Sequence, residues 1–302
     1  PVMGRPNTAT FRLIDLVGID VWDHVGRNLA PAIPEDEQAQ RYLKSERVNA
    51  LIGTLLERKA LGNKTRQGFY KEVKQEGKKD FWPLNLQTLE YQAPQKVRFD
   101  SVGKAREKEK LGDKLKILLA AEDWAGQLVR ALTYQGFSYA SERIPEIADT
   151  PVPIDNAMVW GFGHEAGPFE TWDLLGVAET AGAMREAGFP PAAWVQEMLE
   201  SGFETFYQYD GGRKTGAYNP LLKTYEPLER APGLMVLSEQ KQAGKLIKKT
   251  GSASLIDLGD GIAAVEFHAK MNAMDAEMYT IVNDGLDCLE TDFEGLVIST
   301  DA

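Results

Sequence analysis

Cysteine is nearly absent: Cys288 is the only one in 302 residues. No disulfide can close within the chain, and a cysteine-rich zinc site is excluded. Histidine is scarce as well, at three residues, and neither His24 nor His268 has a Cys or His at ligand spacing. A metal site is therefore not expected. No apolar run approaches the ~20 residues that span a bilayer. Basic charge is in deficit, with a net charge of −11, which argues against nucleic acid as a main partner. That deficit leaves room for a local basic pocket and an acidic small molecule. No G-x-G-x-x-G follows a strand-like run. The start is not signal-like, so the sequence reads as a reducing, cytoplasmic protein. It opens on Pro1 and closes on the strand-like run from Gly295 to Thr300, and both ends read as cut.

What is present is ordinary globular composition, 43% hydrophobic and 26% charged, in a length that fits two or three domains. Residues 1–70 are helical in pattern. Phe11 to Val17 carries helical apolar spacing with Gly18 as a stop, and Glu35 to Lys59 reads as one long helix with Leu51, Ile52 and Leu55 in its stripe. Residues 71–108 turn polar and read as a connector, with a short strand at Leu84 to Tyr91. Residues 109–230 return to helix, over Leu111–Leu119, Trp124–Glu142 and Trp194–Leu199, with another helix starting at Ile154 under an Asp155 cap. Residues 231–251 read as a linker. From residue 252 the period changes to two β-rich runs around Gly259-Asp260-Gly261, which signals a hairpin. A helix capped by Asp275 and a strand at Leu296-Val297-Ile298 follow.

A repeat runs through the helical part. Phe11, Asp15 and Gly18 recur as Phe169, Asp173 and Gly176, each 158 positions later. A second echo pairs Phe69-Tyr70 with Phe206-Tyr207 at an offset of 137, which implies loops of different length. A duplicated helical domain accounts for both. The Asp and Gly of the repeat shape helix ends and are not expected to catalyse.

At these residues a family resemblance enters. The run Met3-Gly4-Arg5-Pro6 with Phe11 to Asp20, and Asn63 to Tyr70, resembles the C-terminal helical domain of 3-hydroxyacyl-CoA dehydrogenases. Arg143 to Asp149 and Trp160 to Asp173 resemble it more closely. Gly261 to Met274 is similar to the first strand and Asn-Ala turn of the crotonase family, the enoyl-CoA hydratases. The resemblance implies a mainly α fold: two tandem dehydrogenase C-terminal-type helical domains, then an incomplete α/β crotonase unit. The expected boundaries are 1–70, a connector at 71–108, 109–230, a linker at 231–251, and 252–302. It implies part of a bifunctional fatty-acid β-oxidation enzyme. The dehydrogenase would oxidise 3-hydroxyacyl-CoA to 3-oxoacyl-CoA with NAD, alongside enoyl-CoA hydratase. The alternative is a non-catalytic helical module that binds acyl-CoA or a protein.

The resemblance also says what the chain should not do alone. The family's Rossmann domain with its His–Glu pair has no counterpart here, so NAD is expected to bind outside this chain. No catalytic residue and no complete active site are expected. The implied partners are acyl-CoA and a second copy in a homodimer, with no nucleic acid and no integral membrane segment. Lys270, Met271 and Asn272 are the substrate-binding candidates: the resemblance sets this turn against the adenine and phosphates of CoA, and a lysine can meet phosphate as a point charge. Otherwise Asn272 simply shapes the turn. The segments at Arg5 to Thr8 and Glu165 to Pro168 are implied to line the acyl side of the cleft. Gly161 to Gly167 has the wrong spacing for a dinucleotide loop, and the adjacent His164 and Glu165 are expected to point apart rather than form a dyad. Phe11, Phe169 and Trp172 are expected in the core.

Overall fold

The computed structural model describes residues 2–6, 8, 10–75, 77–210, 213–229, 234–269 and 273–300. They fall into two compact units, residues 1–148 with 152–204, and residues 149–151 with 205–302. Helix makes up about 48% of the structure, so the chain is mainly α. Among the described residues no helix is long and apolar enough to cross a membrane.

The first unit opens with α1 (Thr10–Val17) and α2 (Ile19–Ala32), joined by Gly18. The expected long helix is broken in two, α3 (Glu37–Leu43) and α4 (Glu46–Glu57). The reason is capping. Asp36 accepts from the Ala39 N–H and starts α3, and Ser45 accepts from the Val48 N–H and starts a fresh helix after Lys44. The apolar stripe survives the break because the period resumes in α4, which buries Ile52 and Leu55 against Ile19, Phe69 and Leu84.

The stretch read as a connector is largely ordered. It forms a hairpin of β1 (Tyr70–Gln75) and β2 (Lys78–Pro83), a bridge between Leu84 and Tyr91, and a further helix, α5 (Asp100–Arg106). Charged strand residues hid the hairpin from pattern reading, since only part of each strand is covered. Asp15 ties the hairpin to α1. Its carboxylate is 1% exposed and accepts the Phe69 and Tyr70 N–H groups, both at 2.8 Å. Burial raises this carboxyl above its ordinary pKa, against the pull of those two bonds and of Arg12.

The rest of the unit is helical: α6 (Leu111–Ala120), α7 (Trp124–Glu142), α8 (Pro151–Phe162), α9 (Pro168–Leu175), α10 (Val177–Glu186) and α11 (Ala193–Glu200). Asp155 does not cap α8; it sits inside that helix. Its carboxylate instead accepts the Phe169 and Glu170 N–H groups at 2.9 and 2.8 Å and caps α9 from the side.

The repeat is present in the backbone. Helices α1 and α9 occupy matching positions 158 residues apart, and each ends on a glycine at positive φ, Gly18 at 106° and Gly176 at 93°. Only glycine takes that turn without strain. The next residue plunges into the core in both copies, Ile19 at 0% and Val177 at 2% exposure. The second echo holds too: the Leu84 N–H bonds the Phe69 carbonyl at 2.8 Å, as the Tyr218 N–H bonds the Phe206 carbonyl at 2.8 Å.

Burial separates the copies. Phe169 and Trp172 are fully buried, with Trp172 stacked on Phe137 of α7 at 5.0 Å, whereas Phe11 is 44% exposed. The expectation that Phe11 is core therefore needs correction: no pair of helices equivalent to α6 and α7 covers α1 among the described residues, and Phe11 rests on the Phe69 ring at 4.7 Å with its other face open.

The second unit holds an antiparallel sheet of β3 (Tyr207–Asp210), β4 (Arg213–Asn219) and β5 (Thr224–Pro227). It also holds α12 (Leu237–Gln242) and a four-stranded sheet in the order β6 (Leu246–Lys249), β7 (Ala253–Gly259), β8 (Ile262–Phe267), β9 (Gly295–Thr300). The expected β7–β8 hairpin is there. β8 and β9 run parallel, joined through α13 (Ala276–Cys288), whose N-cap is Asp275. β6 lies in the segment read as a linker; its four residues are all exposed, so no burial alternation marks it.

Phe169→Ala should cost ~3–5 kcal/mol and Phe11→Ala about 1 kcal/mol or less, since only the first leaves a closed cavity. Urea unfolding of the two variants checks this, and equal losses would contradict the burial difference. Asp15→Ala should cost on the order of 2–4 kcal/mol, because two buried N–H groups lose their acceptor. A midpoint within error of the parent would count against that clamp.

Candidate functional site

The first unit contains a cavity of about 460 Å³, a size typical of small-molecule sites. Helix α7 supplies one wall and α8 another, with Leu115 of α6 between them and Phe137, Ile154 and Met158 giving an apolar lining. The residues before α9 and the segment at Met3 and Arg5 close one side. The two segments meet directly: the Glu165 N–H bonds the Gly4 carbonyl at 2.8 Å. Arg5, Ala166, Gly167 and Pro168 all line the cavity.

Its polar side is built by residues far apart in the sequence. Tyr139 and Arg143, on and just after α7, line the cavity and reach Asp36 at the start of α3. The Tyr139 hydroxyl donates to Asp36 Oδ2 at 2.7 Å, and Arg143 Nη1 lies 3.2 Å from the same oxygen and 2.7 Å from Glu146 Oε2. The Arg143 guanidinium also sits 4.9 Å from the Tyr139 ring centre. Asp36 is 5% exposed. Burial alone would raise its carboxyl; the Ala39 N–H, the Tyr139 hydroxyl and the Arg143 charge together hold it below the ordinary value. The Tyr139 phenol, desolvated and bonded to that carboxylate, is pushed up to about 12. Gln38 donates to Glu142 at 2.7 Å and Gln135 pairs with Tyr42, so α3 and α7 are stitched along their length. Sequence reading missed this cluster, because Asp36 and Tyr139 are 103 positions apart and nothing local links them.

His164 lines the cavity and Glu165 does not, so the pair forms no dyad there. Burial, and then the Arg5 cation, hold the imidazole below its ordinary pKa. Gly161 to Gly163 closes the end of α8: Gly163 takes a positive φ of 63° and its N–H bonds the Val159 carbonyl at 3.0 Å. This is a helix C-terminus, whose carbonyls repel a pyrophosphate, and not the strand-to-helix turn that NAD requires. The residues present here do not fit a dinucleotide.

Lys270, Met271 and Asn272 lie outside the described residues. Next to them, the His268 ring bonds the Ser254 hydroxyl at 3.0 Å, while His24 is exposed. Among the described residues no group of three or more His, Cys, Asp or Glu could hold a metal ion.

Two outcomes follow from the electrostatics. Tyr139→Phe should cost about 1–2 kcal/mol, by removing one of the hydrogen bonds to the buried Asp36 carboxylate, and should remove one phenol titrating near 12 from the ultraviolet pH titration. An unchanged alkaline limb would refute the Tyr139–Asp36 bond. His164 should titrate in NMR below ~6.5, with a rise on Arg5→Gln. Because the folded imidazole holds its proton less tightly than the unfolded one, stability falls as pH drops through the ordinary imidazole range and is untouched above it.

No known family profile matches the chain. Over 302 residues, 99% of its length, it is 36% identical to a Bacillus subtilis protein provisionally named a 3-hydroxyacyl-CoA dehydrogenase, and the match covers 36% of that protein. A Rickettsia felis protein, provisionally named a fatty acid oxidation complex trifunctional enzyme, is 28% identical over 180 residues, 60% of this chain and 23% of the relative. A Deinococcus radiodurans protein, again provisionally a 3-hydroxyacyl-CoA dehydrogenase, is 37% identical over 76 residues, 25% of this chain and 20% of the relative. The chain spans about a third of the length of the first of these relatives. None of the three names mentions a hydratase. By sequence, then, the chain is similar to part of proteins named for 3-hydroxyacyl-CoA dehydrogenation and fatty-acid oxidation.

Proposed function

We propose that this chain is the helical, acyl-CoA-side part of an NAD-dependent 3-hydroxyacyl-CoA dehydrogenase of fatty-acid β-oxidation. The observation that carries the reading is the 36% identity to the Bacillus subtilis protein along 99% of the chain. In that reaction a hydride leaves C3 of the 3-hydroxyacyl-CoA for the nicotinamide, the hydroxyl proton goes to a base, and 3-oxoacyl-CoA is formed. The base and the NAD site belong to another part of the enzyme. This chain supplies the apolar cleft and an interface between subunits of a homodimer, and by itself it turns nothing over.

The finer reading attaches an enoyl-CoA hydratase to residues 252–302, with Lys270, Met271 and Asn272 reading the adenine and phosphates of CoA. Its support is the resemblance of residues 261–274 to a crotonase opening and the β8–α13–β9 arrangement. The domain limits at 70, 108, 230 and 251 and a cytoplasmic setting belong to the same proposal. The cavity in the first unit keeps a second reading in view, a non-catalytic module that binds acyl-CoA or a protein.

Calorimetric titration of the chain with acetoacetyl-CoA, free CoA and NAD+ tests the proposal. Acetoacetyl-CoA should bind and NAD+ should not. Binding of NAD+ would contradict the division of labour, and silence from acetoacetyl-CoA would remove the acyl-CoA role.

A further inference from the structure

We propose that the pocket between α1 and the β1–β2 hairpin is a site for a phosphate group, free or as a small monoester, held by Arg12, Arg66 and Lys79. The inference is independent of the acyl-CoA reading, and no residue lines both this pocket and the cavity between α7 and α8.

The hairpin builds the floor. In the β1–β2 register Glu72 lies opposite Phe81 and Tyr70 opposite Pro83, and the two-residue period of a strand puts Tyr70, Glu72, Lys79 and Phe81 on one face. Arg12 of α1 closes over that face. Its guanidinium lies 4.1 Å from the Phe81 ring centre, and its Nη1 donates to Asn63 Oδ1 at 3.0 Å. Arg66 enters from the turn before β1. Its backbone is held at a φ of 59°, with its N–H on the Asn63 carbonyl at 3.1 Å and its own carbonyl accepting the Glu72 N–H at 2.9 Å. All of these side chains line one concavity of about 270 Å³.

Charge then selects the ligand. Three cations stand here against one carboxylate, Glu72, in a chain of net charge −11. Glu72 pairs with Lys79 at 3.1 Å, which leaves the two arginines over. Arg12 is oriented by a ring and an amide, and neither carries a charge. Asp15 feels the Arg12 cation, but its two oxygens already accept the Phe69 and Tyr70 N–H groups. Asp80 is likewise taken by the Phe81 and Trp82 N–H groups and does not line the pocket. Among the described residues the Arg66 side chain has no hydrogen bond or ion pair. Two unmatched guanidinium groups suit a phosphate monoester, which carries about −1.5 to −2 charge at pH 7 and accepts paired N–H bonds from arginine. A carboxylate brings one charge and leaves one arginine unmet. The volume falls just under the ~300 Å³ at which sites for drug-sized molecules begin, so the ligand is small. Exposed Phe81 and half-buried Tyr70 beside the arginines offer ring surface to the group that carries the phosphate.

The test follows phosphorus NMR of inorganic phosphate and of phenyl phosphate as the 302-residue chain is added at neutral pH and low salt. Both should bind saturably, and acetate should displace them about tenfold less well than phosphate displaces itself. Arg66→Asn removes the cation while asparagine accepts the same left-handed turn. It should weaken phosphate about tenfold, the scale of one charge-assisted hydrogen bond, with an unchanged melting temperature. Lys79→Gln should weaken it too, since Glu72 is then left to repel the anion. Lys78, exposed and on the opposite face of the hairpin, is the control for diffuse charge: Lys78→Gln should change nothing. Phenyl phosphate binding more tightly than phosphate makes an aromatic monoester the ligand, equal or lower affinity makes it the free anion, and both uphold the site. No saturable binding of either probe overturns the proposal, as does a Lys78→Gln loss as large as that of Arg66→Asn. Acetate displacing phosphate on equal terms overturns the class of ligand.

Discussion

The Asp36 carboxylate is the point on which the first unit turns. It starts α3 by taking the Ala39 N–H, and it takes the Tyr139 hydroxyl of α7 and the Arg143 cation just after that helix. One buried anion thus performs a local task and a tertiary one. Pairs of this kind add little net stability, because the desolvation of both partners offsets their attraction. What they do contribute is discrimination among packings: any register of α3 on α7 that misplaces Asp36 leaves a buried charge without partners. The same contact holds Tyr139 and Arg143 at the cavity wall, so the geometry of the candidate site follows from the contact that joins α3 to α7.

The duplication shows how one local code serves two environments. Gly18 and Gly176 make the same turn, and Ile19 and Val177 are buried alike behind them. Yet Phe169 is fully buried, with the Trp194 ring of α11 6.1 Å away, while Phe11 is 44% exposed. Side-chain spacing fixes which face of a short helix is apolar; whether that face is covered depends on what else packs there. The two buried aspartates make a parallel point. Asp15 reaches the N–H groups of Phe69 and Tyr70, and Asp155 those at the start of α9. In each case a carboxylate inside one element satisfies backbone donors of another, which orders the joint without a covalent link.

Elements with a strong period or a local cap were legible beforehand. Helix α7, the Gly259-Asp260-Gly261 hairpin and the Asp275 cap of α13 each rest on residues within a few positions of one another. Elements whose partners are distant were not. The β1–β2 hairpin carries charges on half-covered strands, β6 is exposed along its length, and the helix expected from Glu35 to Lys59 hid a second cap at Ser45. The cavity was half legible. The segments at Arg5 and at Glu165 were both implied by the resemblance to line one cleft, but their meeting through Gly4, and the arrival of Asp36 beside Tyr139, were beyond sequence reach.

The sequence by itself determined the helical segments, the Phe11–Gly18 pattern echoed at Phe169–Gly176 and the switch to strands near residue 252, because each is written in neighbouring residues and their spacing. Tertiary structure alone decided which repeat has a buried aromatic face, where Asp155 spends its carboxylate, and which side chains surround the cavity. Those outcomes depend on pairs such as Asp36 and Tyr139, 103 positions apart. Their encounter is set by how whole helices pack, and by the demand that every buried charge and backbone donor find a partner.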